Sequence, residues 1–82
     1  MANPLKVSGM TPVQMEERLN VRFPESQVAV IDLTGTADHF EVRISSPTLK
    51  TLPRLKQHQE VMAVFSDELK SGEVHALSVR IL

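Results

Sequence analysis

The chain has 82 residues, 41% of them hydrophobic and 23% charged, and its nine Lys and Arg nearly cancel ten Asp and Glu to leave a formal net charge of −1. A chain this short makes one domain and buries only about 60% of the surface its unfolded form exposes, which leaves no room for a large enclosed catalytic cavity. The near-neutral balance lacks the overall field of a dedicated nucleic-acid binder, and the absence of cysteine excludes disulfides, a thiolate nucleophile and any thiolate metal site built by this chain alone.

Residues 1–9 carry one lysine and no apolar run of secretory length, so they are expected to be a flexible leader ahead of a single domain over residues 10–82. No stretch approaches the roughly 18 consecutive apolar residues of a membrane span, and the expected compartment is the cytoplasm. Met10-Thr11-Pro12-Val13-Gln14-Met15 predicts a helix start: Thr11 as N-cap, Pro12 at the first helical position, Gln14 closing a capping box and Met10 stapling onto Met15. Met15 and Leu19 lie four apart on one face, and the helix should end before Pro24, because the residue preceding a proline avoids the helical region.

Val28 to Leu33 is rich in β-branched residues and leads into a turn-like run, Thr34 to Asp38. His39 to Ser45 then alternates, with Phe40, Val42 and Ile44 on one face and His39, Glu41 and Arg43 on the other, so the two segments predict a hairpin. Ser46-Pro47 predicts a short helical turn. Thr51-Leu52-Pro53 predicts the start of a longer helix, from about Pro53 to Lys70, whose buried stripe is Leu55, His58, Met62, Phe65 and Leu69, supported by Val61. Ser71-Gly72 stops that helix, and Val74 to Leu82 alternates again, with His75, Leu77, Val79 and Ile81 sharing one parity.

A helix between the second and third strands is a crossover, which normally joins parallel strands. The expected fold is therefore α+β: a small three-stranded mixed sheet with helices on one face, in the order helix, strand, strand, helix (in one or two pieces), strand. Parallel second and third strands bring the Thr34–Asp38 loop, His39 and His75 to one rim. His58 lies twelve positions before Lys70, roughly 18 Å along a helix axis, and so cannot join them; it is expected to be partly buried, with a backbone carbonyl or a nearby acid as its partner. Parity sends His75 toward the helix-covered face and His39 toward solvent, which counts against a His39–His75 pair and favours Asp38 as the neighbour of His75. No nucleophile with a positioned base, glycine-rich phosphate loop or paired-histidine zinc motif is present, so an enzyme is not expected.

The segments "HFEV" (His39–Val42), "QHQEV" (Gln57–Val61), "SDEL" (Ser66–Leu69) and "VHALS" (Val74–Ser78), at these spacings, resemble the BolA family from about Met15 to Ile81. The resemblance implies a fold similar to class II KH domains and a non-enzymatic partner of a monothiol glutaredoxin. The two would share a [2Fe–2S] cluster in iron homeostasis and cluster trafficking, with glutathione and the glutaredoxin supplying thiolates and His75 of the "HAL" motif supplying an imidazole. The position that usually offers a second ligand is Thr36 here, which leaves Asp38 or His39 as substitutes. Some members of the family bind DNA and act as transcriptional regulators in stress. That alternative points to Lys50, Arg54 and Lys56 as a basic patch, although Gln57-His58-Gln59 stands where the family has "RHR". Neither reading calls for a membrane or a small-molecule substrate.

Overall fold

Helix α1 (Pro12–Arg22) begins where its capping residues predict. The Thr11 hydroxyl accepts the Gln14 amide at 3.2 Å and the Gln14 side chain accepts the Thr11 amide at 3.0 Å, so two otherwise unpaired donors are satisfied reciprocally. The computed structural model describes residues 10–82, and the expected leader, residues 1–9, lies outside the described residues. Met15 and Leu19 are fully buried, with Met10 beside them. Ahead of Pro24 the helix closes on the Phe23 amide, which donates to the Leu19 carbonyl at 2.8 Å.

Strands β1 (Gln27–Asp32) and β2 (His39–Ser45) pair antiparallel, with Val30 opposite Val42 and Asp32 opposite Phe40. Strand β3 (Ala76–Ile81) lies parallel to β2 on its other side, with Phe40 opposite Leu77 and Ile44 opposite Ile81. The central strand therefore has neighbours on both sides, and its inward residues Phe40, Val42 and Ile44 are fully buried. Val28 and Val30 of β1 and Leu77, Val79 and Ile81 of β3 join the same face, against the helices. This is the predicted α+β architecture, a three-stranded mixed sheet with helices on one face. Among the described residues no helix is long and apolar enough to cross a membrane.

Two details differ from expectation. Thr51 does not start the long helix: it closes α2 (Pro47–Lys50), donating its hydroxyl to the Thr48 carbonyl at 2.7 Å, while Pro53 stands before α3 (Arg54–Val64) with no side-chain cap. The helix expected over Pro53–Lys70 is also broken in two, α3 and α4 (Ser66–Ser71), at Phe65, whose backbone leaves the helical region at φ −114°, ψ 22°. The break buries the Phe65 ring completely. It also frees the Val64 carbonyl, which accepts a hydrogen bond from Arg18 of α1 at 2.5 Å. The same guanidinium lies 5.1 Å from the Phe65 ring centroid and pairs with Glu68 at 2.8 Å, so one side chain supplies the partner the helix lost.

The buried stripe shifts accordingly. Gln57 reaches the Leu49 carbonyl at 2.8 Å, Val61 is fully buried and Val64 packs on the core, whereas Leu55 is 69% exposed. The inward face of α3 thus runs through Gln57, Val61, Val64 and Phe65, one residue or roughly 100° round from the line through His58 and Met62.

Candidate metal centre

The β1–β2 loop is organised by Asp32, whose carboxylate accepts the amides of Thr34 (3.3 Å), Gly35 (2.9 Å) and Ala37 (3.0 Å). Gly35 and Ala37 take positive φ, 75° and 61°, to bring three amides around one carboxylate. This curl delivers Asp38 to the rim. The Asp38 backbone carbonyl accepts two successive amides from the partner strand, His75 at 2.8 Å and Ala76 at 3.1 Å.

Two residues facing one interrupt the alternation, as in a β-bulge. Val74 is buried, its amide donating to the Glu68 carbonyl of α4 at 3.1 Å, while both His75 and Ala76 are exposed. His75 therefore does not lean toward the helix-covered face as its parity with Leu77 predicted. Its side chain is 60% exposed on the open rim, beside that of His39, which is 44% exposed. The expectation that the two histidines project apart is likewise overturned: their rings stand edge to face, 6.1 Å between centroids. Alternation holds only inside the paired ladder, and His75 precedes it while His39 is its first residue.

Asp38 is the neighbour of His75 that was expected, and it touches both imidazoles. Its Oδ2 lies 3.1 Å from His75 Nδ1 and 4.0 Å from His39 Nε2, and its Oδ1 accepts the hydroxyls of Thr36 and, at 3.3 Å, Thr34. The Thr36 hydroxyl does most to hold the Asp38 carboxyl below its ordinary range; desolvation opposes it, and His39, His75 and Thr34 act in the same direction as Thr36. Thr36 therefore serves the carboxylate. One ligand atom from each of Asp38, His39 and His75 can be chosen so that all three lie within 4.8 Å of one another. His58 stands outside this group on α3, its Nδ1 3.0 Å from the Arg54 carbonyl, the first of its two expected partners.

The basic residues divide. Lys50 and Arg54 line an open groove of about 390 Å³ together with His58 and Arg80, and Lys56 is not among its lining residues. Arg80 is the member that sequence reasoning missed: it lies on β3, 26 positions after Arg54, on the parity of Ser78, and only the pairing of β3 against β2 carries it there.

A family model described as BolA-like protein matches residues 15–82. A protein of Acinetobacter guillouiae encoded in the rpoN–murA intergenic region is 33% identical over 73 residues, covering 89% of this chain and 84% of that one. Among solved structures, the BolA domain of SufE1 from Arabidopsis thaliana superposes with a TM-score of 0.75 at 27% identity, covering 92% of this chain and 93% of that one. BolA1 from the same plant gives 0.73 at 28% identity, covering 85% and 87%. With the fold, the "HAL" histidine at its rim and the family match agreeing over most of its length, the chain belongs to the BolA-like family.

Proposed function

We propose that this protein is a non-enzymatic partner of a cytoplasmic monothiol glutaredoxin, with which it shares a [2Fe–2S] cluster through His75 in cluster trafficking and iron homeostasis. The observation that carries the reading is the state of His75: 60% exposed on an open rim, with Nδ1 engaged by Asp38 and Nε2 left as the free donor. A carboxylate behind a ligating imidazole holds its tautomer and orientation, and Asp38 is in that position. Gly72 leaves room beside the ring, since even a Cβ there would stand 3.9 Å from Nε2.

The donor set suits the group. Imidazole replaces thiolate on one iron of such clusters and raises their potential, and a chain with no cysteine needs a thiol-bearing partner to complete one. Asp38 Oδ2 accepts the Nδ1 proton of His75 and keeps the Nε2 lone pair directed outward. The neighbouring surface for the partner is the 35–39 loop, with exposed Lys70 near the end of α4.

The test mixes the protein with a monothiol glutaredoxin, ferrous iron, sulfide and glutathione and records visible circular dichroism. With no Trp or Tyr in this chain, a signal that the mixture gains above 300 nm reports the cluster. His75→Ala is expected to abolish the spectrum of the heterocomplex; an unchanged spectrum overturns the assignment.

A second reading, nucleic-acid binding by a transcriptional regulator, draws on the groove that gathers Lys50, Arg54 and Arg80, with Lys56 on the same helix start. Phosphate contacts weaken steeply with salt. A duplex affinity unchanged in the Lys50/Arg54/Arg80 triple-alanine protein rules this reading out.

A further inference from the structure

The rim has a second chemistry that needs no partner protein. We infer that Asp38 Oδ2, His39 Nε2 and His75 Nδ1 form a three-donor site for a single divalent cation of zinc-like character in the free protein. The inference goes beyond the shared cluster and does not depend on it, because it uses the other ring nitrogen of His75.

Spacing is the first argument. A tetrahedral zinc ion with bonds of about 2.0–2.2 Å separates neighbouring donors by roughly 3.3–3.5 Å. Oδ2 of Asp38 stands 3.1 Å from His75 Nδ1 and 4.0 Å from His39 Nε2, so these two distances need a change of well under 1 Å; one ligand atom from each residue can be chosen with all three within 4.8 Å of one another, at most about 1.5 Å beyond the tetrahedral spacing. The side chains that must turn are on the surface, where torsional adjustment meets little packing resistance. Their backbones, in contrast, are tied together without the ion: His75 and Ala76 both donate to the Asp38 carbonyl, His39 opens β2 opposite Ala76, and Asp32 pins the loop from behind.

Donor type is the second. Two imidazoles and one carboxylate suit borderline divalent ions such as zinc, cobalt or nickel, while calcium and magnesium prefer all-oxygen shells and copper(I) prefers sulfur. Exposure of the rim leaves the fourth position to water. The Thr34 and Thr36 hydroxyls donate to Oδ1, so Oδ2 is the oxygen left to face the ion.

Proton placement follows. In the free protein the Asp38 carboxylate, an acceptor 3.1 Å from Nδ1, favours the tautomer with the His75 proton on Nδ1; when the cation takes Nδ1 the neutral ring keeps its proton on Nε2, with no net release. An Nε2–H nitrogen has no lone pair for iron. Cation binding and cluster ligation therefore exclude one another at His75, and the tautomer is the switch between them.

The experiment adds zinc to the 82-residue chain without glutaredoxin and follows the imidazole nitrogens by long-range ¹H–¹⁵N NMR, with calorimetry for stoichiometry. Expected are one ion per chain, metallation at His75 Nδ1 and His39 Nε2, and no change at His58. His39→Ala and Asp38→Asn should each weaken binding by more than about tenfold, the lower end of what loss of even an outer-sphere partner costs. The site is refuted by zinc that binds equally to both variants, that metallates His75 at Nε2, or that leaves both rings unmoved. Because His39→Ala leaves the loop carboxylate in place, it serves as the control should Asp38→Asn disturb folding. Loss of the zinc result with a His75-dependent cluster spectrum intact overturns this inference alone, and the converse overturns the cluster reading alone.

Discussion

Replacing Arg18 with methionine should cost about 2–3 kcal/mol and loosen the segment that presents His75. The substitution keeps an apolar stem against Phe65 but removes four polar interactions at once, the weakest a 3.5 Å donation to the Met10 sulfur. The guanidinium donates to the Val64 carbonyl at 2.5 Å, a charged hydrogen bond worth about 1.5–3 kcal/mol net. Its contact with the Phe65 ring at 5.1 Å adds about 0.5–1 kcal/mol. Its pairing with Glu68 falls in the surface range of about 0.2–1 kcal/mol, since the Arg18 side chain is 38% exposed. These share one group and do not add fully. Glu68 makes the loss worse, because among the described residues its Oε1 already lacks a hydrogen-bond partner and Oε2 would lose its own. In a domain of this size the expected loss corresponds to roughly 10–20 °C in Tm. Urea unfolding followed by far-ultraviolet circular dichroism measures it directly. Because the Glu68 carbonyl holds the Val74 amide, the same variant should broaden the His75 ring resonances. A cost below about 0.5 kcal/mol, ordinary for a surface substitution, would refute the idea that Arg18 stabilises the α3–α4 break.

Burial alone would raise the Glu68 carboxyl, but the hydrogen bond from Arg18, one from its own backbone amide and the charge of Arg18 together outweigh it and leave it below its ordinary range. A depressed folded value means that the stabilisation is complete above the unfolded carboxyl range, about pH 4–5, and is lost as pH falls through the folded value; acid unfolding curves of Glu68→Gln should therefore fall less steeply than those of the parent. Thr36→Val removes the largest influence lowering the Asp38 carboxyl, which should titrate closer to its usual range in ¹³C-detected NMR. Gly72 ends α4 at φ 84°, so Gly72→Ala should cost about 1 kcal/mol of stability in urea. Its new Cβ would meet the His75 ring at an ordinary 3.9 Å, so the zinc affinity of that variant should equal the parent's.

Much of the fold is legible along the chain because its signals are local. The Thr11–Gln14 capping box, the Ser46-Pro47 turn and the Gly72 stop each act within a few residues and appear where predicted. Strand alternation in β2 is equally local, and Phe40, Val42 and Ile44 are buried as it requires. The break at Phe65 left no such mark: Pro53 to Lys70 contains no glycine or proline after its first residue, and the carbonyl freed where the chain leaves the helix is answered by Arg18, 46 positions earlier.

The site divides along the same line. Residue type, the "HAL" motif and the crossover topology, all read from sequence, place His75 and Asp38 at one rim; the missing cysteine makes a thiol-bearing partner necessary for the cluster chemistry proposed. Tertiary structure decided which way the side chains point. The Asp38 carbonyl accepts two successive amides, and that one irregularity turns His75 out of its expected parity and toward His39. Alternation is a property of a regular ladder, and where the ladder ends a side chain's direction is set by hydrogen bonds to a loop residue 37 positions away.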